Sequence, residues 1–306
     1  MTQNKTFTHL PDSLSSVFPD STSDILPFNM TNDYMFRAVL QECPEALKGL
    51  VCALLHLDPE EVISIEIKNP IQLGQAITSK TFILDILVLL NDNRYINLEM
   101  QVRDNHNWPE RSLSYLCRTF DQLPTGEDYV FLKPVIHIAF LDYTLFPDSP
   151  EFYATYQLKN IKSNALYSDK FTLSVIDLNH TELAEPENIS SGLVQWIQFF
   201  KATTWKEVLH MAAQNPDISN AASTMRSMYQ NNYVYDECWQ REEENRVRRS
   251  LVLEGEREGE RRGESKGEDH FAALAQKLIA DNLLDELTRA TSDKAYRQEL
   301  YKRYGL

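Results

Sequence analysis

The chain has 306 residues, 42% of them apolar and 10% aromatic; this is enough for two domains and excludes a disordered or fibrous protein. Its formal net charge of −15, with a pI near 4.9, excludes a surface coated in basic residues for non-specific nucleic-acid binding, though a local positive groove or bound metal ions would escape that tally. The longest apolar run, Phe82 to Leu90, is nine residues long and holds Asp85, so no membrane span is expected. The opening MTQNKTFTHLPDSLSS has neither the basic nor the apolar region of a secretory signal, and a cytoplasmic location is expected. Four widely spaced cysteines without a C-x-x-C pair argue against a zinc ribbon or a disulfide framework and read as buried thiols.

In chain order, residues 1–28 are rich in Ser, Thr, Asp and Pro and read as a poorly ordered leader. A domain is expected over 29–215. From Thr31, TNDYMFRAVLQECPEALKGLVCALLHL spaces apolar residues helically, with Asn32 or Asp33 as N-cap and Pro44 opening a second helix. VISIEIKNP, from Val62, alternates as a strand and stops at Asn69-Pro70. TFILDILVLL (81–90) and RYINLEMQV (94–102), joined by Asn91-Asp92-Asn93, read as a hairpin. Trp108 to Gln122 reads as a helix with Pro109 in its first turn and Leu113, Leu116 and Phe120 on its apolar face. Strands are expected at 134–141 and 171–178, and a helix over 193–211.

The remainder differs in kind. Residues 216–269 are expected to form a charged helical linker, in which Gly255, Gly259, Gly263 and Gly267 recur every fourth residue. Each interior glycine costs about 0.8–1 kcal/mol against alanine, which favours a solvated, partly helical segment over a stable lone helix; the alternative is an oligomerising helix packed along the glycine stripe. Residues 270–306 read as two or three short amphipathic helices.

One constellation carries chemistry. Asn97, Glu99 and Gln101 share a face of their strand, with Leu98 and Met100 on the other, so one face is polar and one is core. Asp85 lies among Ile83, Leu84, Ile86 and Leu87, where an ionised carboxylate is costly without a partner. A three-residue loop at 91–93 would set Asp85 directly opposite Glu99, roughly 5 Å away across the strands. A hard divalent cation such as Mg²⁺, which takes one or two carboxylates with water and phosphate, is one partner that reconciles two adjacent acids. The other reading satisfies Asp85 with backbone donors or with Arg94 or Arg111, and leaves Glu99 facing solvent.

The succession TNDYMF, ILDILV, INLEMQVRDNHNWPERSLSYLCR and the glycine-spaced GEREGERRGE resembles the Rpn family of recombination-promoting nucleases, also described as PD-(D/E)XK nuclease family transposases. The likeness is strong from Asn32 to Leu141 and weaker beyond. It implies an α/β restriction-endonuclease-like core, a mixed central sheet flanked by helices, with a charged helical C-terminal extension. It also implies a catalytic set of Asp85, Glu99 and Gln101, with Asp33 as the acid of the first helix, or else simply its N-cap. Asp85 and Glu99 would hold Mg²⁺, with Mn²⁺ as a substitute, to hydrolyse DNA. The R-x-x-x-Y of the following helix corresponds to Arg111, a candidate phosphate contact or a structural ion pair, and Tyr115, a packing residue. The wider superfamily carries lysine where this chain has Gln101, so a regulatory module that keeps the fold without cleavage is the alternative. A homodimer is expected, since cutting both strands with one site per chain calls for two copies.

Overall fold

The computed structural model describes residues 24–68, 71–72, 82–83, 85–121 and 126–306; only the backbone of 71–72 and 82–83 is considered. The chain divides into two compact units, the first ending at Glu242 and the second running from Glu243 to Leu306.

The first unit opens with two helices. In α1 (Asp33–Glu42) the N-cap is Asn32, whose side chain accepts from the backbone N–H groups of Tyr34 and Met35. Pro44 begins α2 (Pro44–Leu55), where its missing N–H costs nothing, and His56 ends it in the left-handed conformation at φ 53°. Strand β1 (Ile65–Lys68) follows, then β2 (Ile71–Gln72), β3 (Phe82–Ile83), β4 (Ile86–Leu90) and β5 (Arg94–Gln101). The expected single strand over 81–90 is therefore two: β3 pairs with β2 in a separate ribbon, while β4 joins the main sheet. Helix α3 (Trp108–Phe120) connects β5 to the parallel strand β6 (Val135–Leu141), as a crossover between parallel strands requires. Next come β7 (Tyr153–Gln157), absent from the sequence reading, and β8 (Phe171–Asp177). The six-stranded sheet has the order β1-β4-β5-β6-β8-β7, with β5–β6 and β6–β8 parallel and the other pairs antiparallel. This is the expected mixed sheet flanked by helices.

Helices α4 (Pro186–Ser190), α5 (Leu193–Lys201), α6 (Trp205–Ala212), α7 (Pro216–Gln230) and α8 (Asn232–Ala280) follow. The single helix expected over 193–211 breaks because Thr204 and Glu207 form a capping box that starts a new helix. The core lies on one side of the sheet, where Leu98, Met100, Ile138, Phe140 and Ile176 meet α1, α2 and α5–α7. Phe36, Phe140 and Phe200 pack edge to face there at 5.3–5.6 Å.

Two expected boundaries move because apolar residues cross them. Within the supposed leader, Leu26 and Phe28 are buried and Ile25 bridges to Thr204; residues 1–23 lie outside the described residues. In the supposed linker, Ile218, Ala221, Ala222, Met225, Val234 and Cys238 belong to the same core, so the unit extends to Glu242 rather than 215.

In the second unit the helical backbone continues through the glycine repeat as part of α8, not as a partly helical segment, and the repeat is exposed as expected. A Cβ added at Gly255, Gly259, Gly263 or Gly267 would meet nothing within 4 Å. Leu274 and Leu278 of α8 pack with Ala290 of α9 (Leu284–Ser292) and Leu300 of α10 (Lys294–Tyr304) into a small core of their own. Among the described residues no helix is long and apolar enough to cross a membrane.

Candidate active site

The hairpin turn determines which acids meet. Asn91 and Asp92 take positive φ values of 50° and 51°, which Asn and Asp tolerate, and the three-residue loop closes with Leu90 opposite Arg94. The ladder runs back to Ile86 opposite Leu98, so the next position brings Asp85 to Glu99. Asp85 lies at a bend just before β4, and the two residues bond reciprocally. The Asp85 backbone N–H donates to Glu99 Oε2 at 3.3 Å, and Asp85 Oδ2 accepts from the Met100 N–H at 2.8 Å. Both side chains are buried, Glu99 at 1% exposure.

Burial dominates their electrostatics. It pushes the Asp85 carboxyl up, the Met100 N–H opposing and the charge of Asp33 adding to the rise. Glu99 is likewise held well above the usual carboxylate range, first by burial and then by the charge of Asp85, against the pull of Arg111.

The supposed polar face of β5 is therefore no solvent face: α3 covers it. The buried side of α3 carries Trp108, Ser112, Tyr115, Leu116 and Thr119, whereas Leu113, expected inward, is exposed. This rotation brings Arg111 over the acids. Its Nη2 donates to Glu99 Oε1 at 3.1 Å and its Nη1 to Gln101 Oε1 at 3.0 Å, while Gln101 Nε2 donates to the same Glu99 oxygen at 3.2 Å. The guanidinium lies 5.1 Å from the Tyr115 ring centre and 5.9 Å from that of Trp108. Arg111 thus makes an ion pair, but with the acid pair itself and not on the helix surface. Both anticipated modes of satisfying Asp85 are partly present: it has a backbone donor, while Arg111 bonds its neighbour.

Asp33 does not cap α1, because Asn32 does. Its carboxylate is 3.6 Å from Arg241 Nε, and its charge reaches Asp85. The start of α1 is tied to α8 by Asn32 Nδ2, which donates to the Cys238 carbonyl and to Glu242. One turn along α1, Arg37 stacks over Tyr34 at 5.2 Å, and its charge also reaches Asp85. Among the described residues the buried Arg37 Nε has no hydrogen-bond partner.

The matches to known proteins bear on this arrangement. A family model described as PD-(D/E)XK nuclease family transposase matches residues 30–252, well over half the chain and including Asp33, Asp85, Glu99, Gln101 and Arg111. The chain belongs to that family. No curated protein and no solved structure matches it.

Members of the PD-(D/E)XK class typically use a divalent metal and act on DNA, and the donor set can be tested for fit. Among the described residues no group of three or more His, Cys, Asp and Glu side chains gathers as a metal cage. Two adjacent buried carboxylates remain, and Asp85 Oδ1 lies outside the bond to Met100. That set suits a hard ion that retains water and phosphate ligands, and does not suit a site made wholly of protein.

The sequence reading missed the buried pair beside Glu99. Asn97 and His137 are opposite each other on β5 and β6, both fully buried, with Nδ2 and Nδ1 2.7 Å apart. The signal was available: a lone histidine within PVIHIAFL is as anomalous as an aspartate within FILDILVLL.

Proposed function

We propose that the protein is a metal-dependent DNA endonuclease of the Rpn kind, hydrolysing phosphodiester bonds in DNA recombination or transposition, with Asp85 and Glu99 as ligands of Mg²⁺ or Mn²⁺. The observation that carries this reading is the reciprocal placement of two buried carboxylates on adjoining strands, where burial disfavours ionisation of both and the charge of Asp85 further disfavours that of Glu99. When bound, the ion supplies Lewis-acid polarisation of the phosphate and a water of lowered pKa. The chain's own residues do the rest. Asp85 and Glu99 offer oxygen donors held by backbone bonds. Gln101 offers an amide to orient water, and the charge that lysine supplies in the wider superfamily comes here from Arg111, already bonded to Gln101 and Glu99. Arg111 is also the phosphate contact, and Asp33 adds negative charge near Asp85. Two copies acting together, as a homodimer, would cut both strands.

The test is cleavage of supercoiled plasmid by wild type, Asp85→Ala and Glu99→Ala, each with Mg²⁺, Mn²⁺ or EDTA. Nicking that requires the metal and is lost in both folded variants is the expected result; equal cleavage by all three refutes the assignment. One observation favours a second reading, a regulatory module without cleavage: position 101 is an uncharged amide already engaged by Arg111. Inactivity of folded wild type under every condition would favour it.

A further inference from the structure

Strand β7 ends the six-stranded sheet, and among the described residues only β8 pairs with it. Two bonds fix which backbone groups its open side offers. The Asp177 N–H donates to the Phe152 carbonyl, and the Tyr167 N–H to the Leu158 carbonyl. Antiparallel strands turn alternate residues toward each other, so Phe152, Ala154, Tyr156 and Leu158 present their N–H and C=O groups to the β8 side. Tyr153, Thr155, Gln157 and Lys159 therefore present theirs to the open side, where Thr155 to Lys159 are exposed.

Edge strands are ordinarily blunted by charge or proline. At the other end of the sheet β1, IEIK, carries Glu66 and Lys68, whereas β7, YATYQ, has neither charge nor proline. Its charges stand just outside it, Glu151 on one flank and Lys159 on the other. A second copy lying antiparallel with Thr155 opposite Thr155 would also match Tyr153 with Gln157, and would set Glu151 of each copy against Lys159 of the other. A shift of two residues either way loses outward matches and parts the opposite charges. The same register puts Tyr156 of each copy beside Ala154 of the other, at a hollow lined by Leu145, Phe146, Pro150, Ala154 and Val175. Tyr156 and Phe146 are 40% and 49% exposed, apolar surface that this pairing would cover.

We propose that the open edge of β7 is the surface through which two copies of this chain associate, antiparallel and centred on Thr155, so that two sheets become one. These are the two copies that the nuclease reading calls for, and only the purpose of the dimer rests on that reading. One strand pair with its flanks makes a small interface, so association should depend on concentration.

The test is sedimentation of the full-length chain over a range of concentrations. Wild type should pass from monomer to dimer. Glu151→Lys and Lys159→Glu should each weaken self-association about 10-fold, since each sets like charges opposite one another twice. An equimolar mixture of the two variants should recover it, because every facing pair is then of opposite sign. Glu151→Lys also lowers the net negative charge, so mere repulsion between acidic chains would strengthen association in that variant. Thr155→Pro removes an outward N–H, leaves the backbone bonds to β8 in place, and should be monomeric with unchanged circular dichroism. Wild type that stays monomeric at every concentration overturns the proposal and leaves the edge to a strand of another protein. A dimer indifferent to both charge reversals overturns it too, and this arm stands even if Thr155→Pro does not fold. None of these readouts uses cleavage: a dimer without nicking counts against the nuclease reading alone, and an active monomer against this interface alone.

Discussion

Removing one proton-binding acid should change how the metal-free fold responds to pH. Burial raises the Asp85 carboxyl from an ordinary 3.8 to about 7, so the native state retains a proton that the unfolded chain has released. The sign follows by linkage: this contribution is complete below pH 3.8 and is lost as pH rises through about 7. The full interval corresponds to about 4 kcal/mol at 1.36 kcal/mol per tenfold change, or roughly 8–16 °C in Tm for a domain of this size. Asp85→Asn keeps an oxygen to accept the Met100 N–H while removing the titration. Thermal unfolding in EDTA from pH 4.5 to 7.5 should therefore show wild type losing stability more steeply than Asp85→Asn, with the variant more stable at pH 7.5. Mn²⁺ should narrow that gap by stabilising wild type alone, since binding at 100 times Kd adds about 2.7 kcal/mol. Parallel pH slopes, or equal stabilisation of both proteins by Mn²⁺, would refute the account of the acid pair.

Arg111→Gln should lower plasmid cleavage about 10-fold or more while tightening Mn²⁺ binding, because it removes a phosphate contact and a cation that competes with the metal at Glu99; activity and metal affinity falling together would indicate mere collapse of the site. Gly49→Ala should destabilise the first unit by about 1–3 kcal/mol in urea titration, since a Cβ there would come within 2.5 Å of Asp217 where α2 meets α7. Replacing Gly255, Gly259, Gly263 and Gly267 by alanine should raise helical ellipticity and strengthen the segment by about 1 kcal/mol per site, because no neighbour opposes the added methyls. A loss of helicity in that variant would mean that the stripe packs against something.

The elements that positioned the acids were legible because they depend on local chemistry. Pro44, Pro109 and the Asn91-Asp92-Asn93 turn carry their backbone preferences in their side chains, and an odd loop between two apolar strands sets the Asp85–Glu99 register without tertiary information. What failed depended on distant partners. The face of α3 was misjudged because Ser112 and Thr119 face inward on a helix whose strongest apolar signal included Leu113, and only the sheet beneath reveals why. The extension of the first unit to Glu242 depends on Val234 and Cys238 meeting residues some two hundred positions earlier, in a stretch whose composition grows increasingly charged. Asp33 could not be separated from Asn32 as a cap by sequence, since both side chains can accept from the same N–H groups.

An acidic chain that acts on a polyanion must confine attraction to its site, and the charges here are arranged to do so. Asp33, Asp85 and Glu99 are matched by Arg241, Arg37 and Arg111, two of the pairings being direct and the third acting through space on Asp85. The molecule, at −15 overall, repels DNA, whereas burial holds Asp85 and Glu99 toward the protonated form in the metal-free site and leaves its arginines incompletely balanced. A divalent ion between the carboxylates would displace those protons as it binds and would leave Arg37 and Arg111 freer to face phosphate. On the proposed reading, metal binding is therefore coupled to proton release at the acid pair, and an acidic exterior is compatible with nuclease chemistry because it limits contact with DNA to the place where it can be cut.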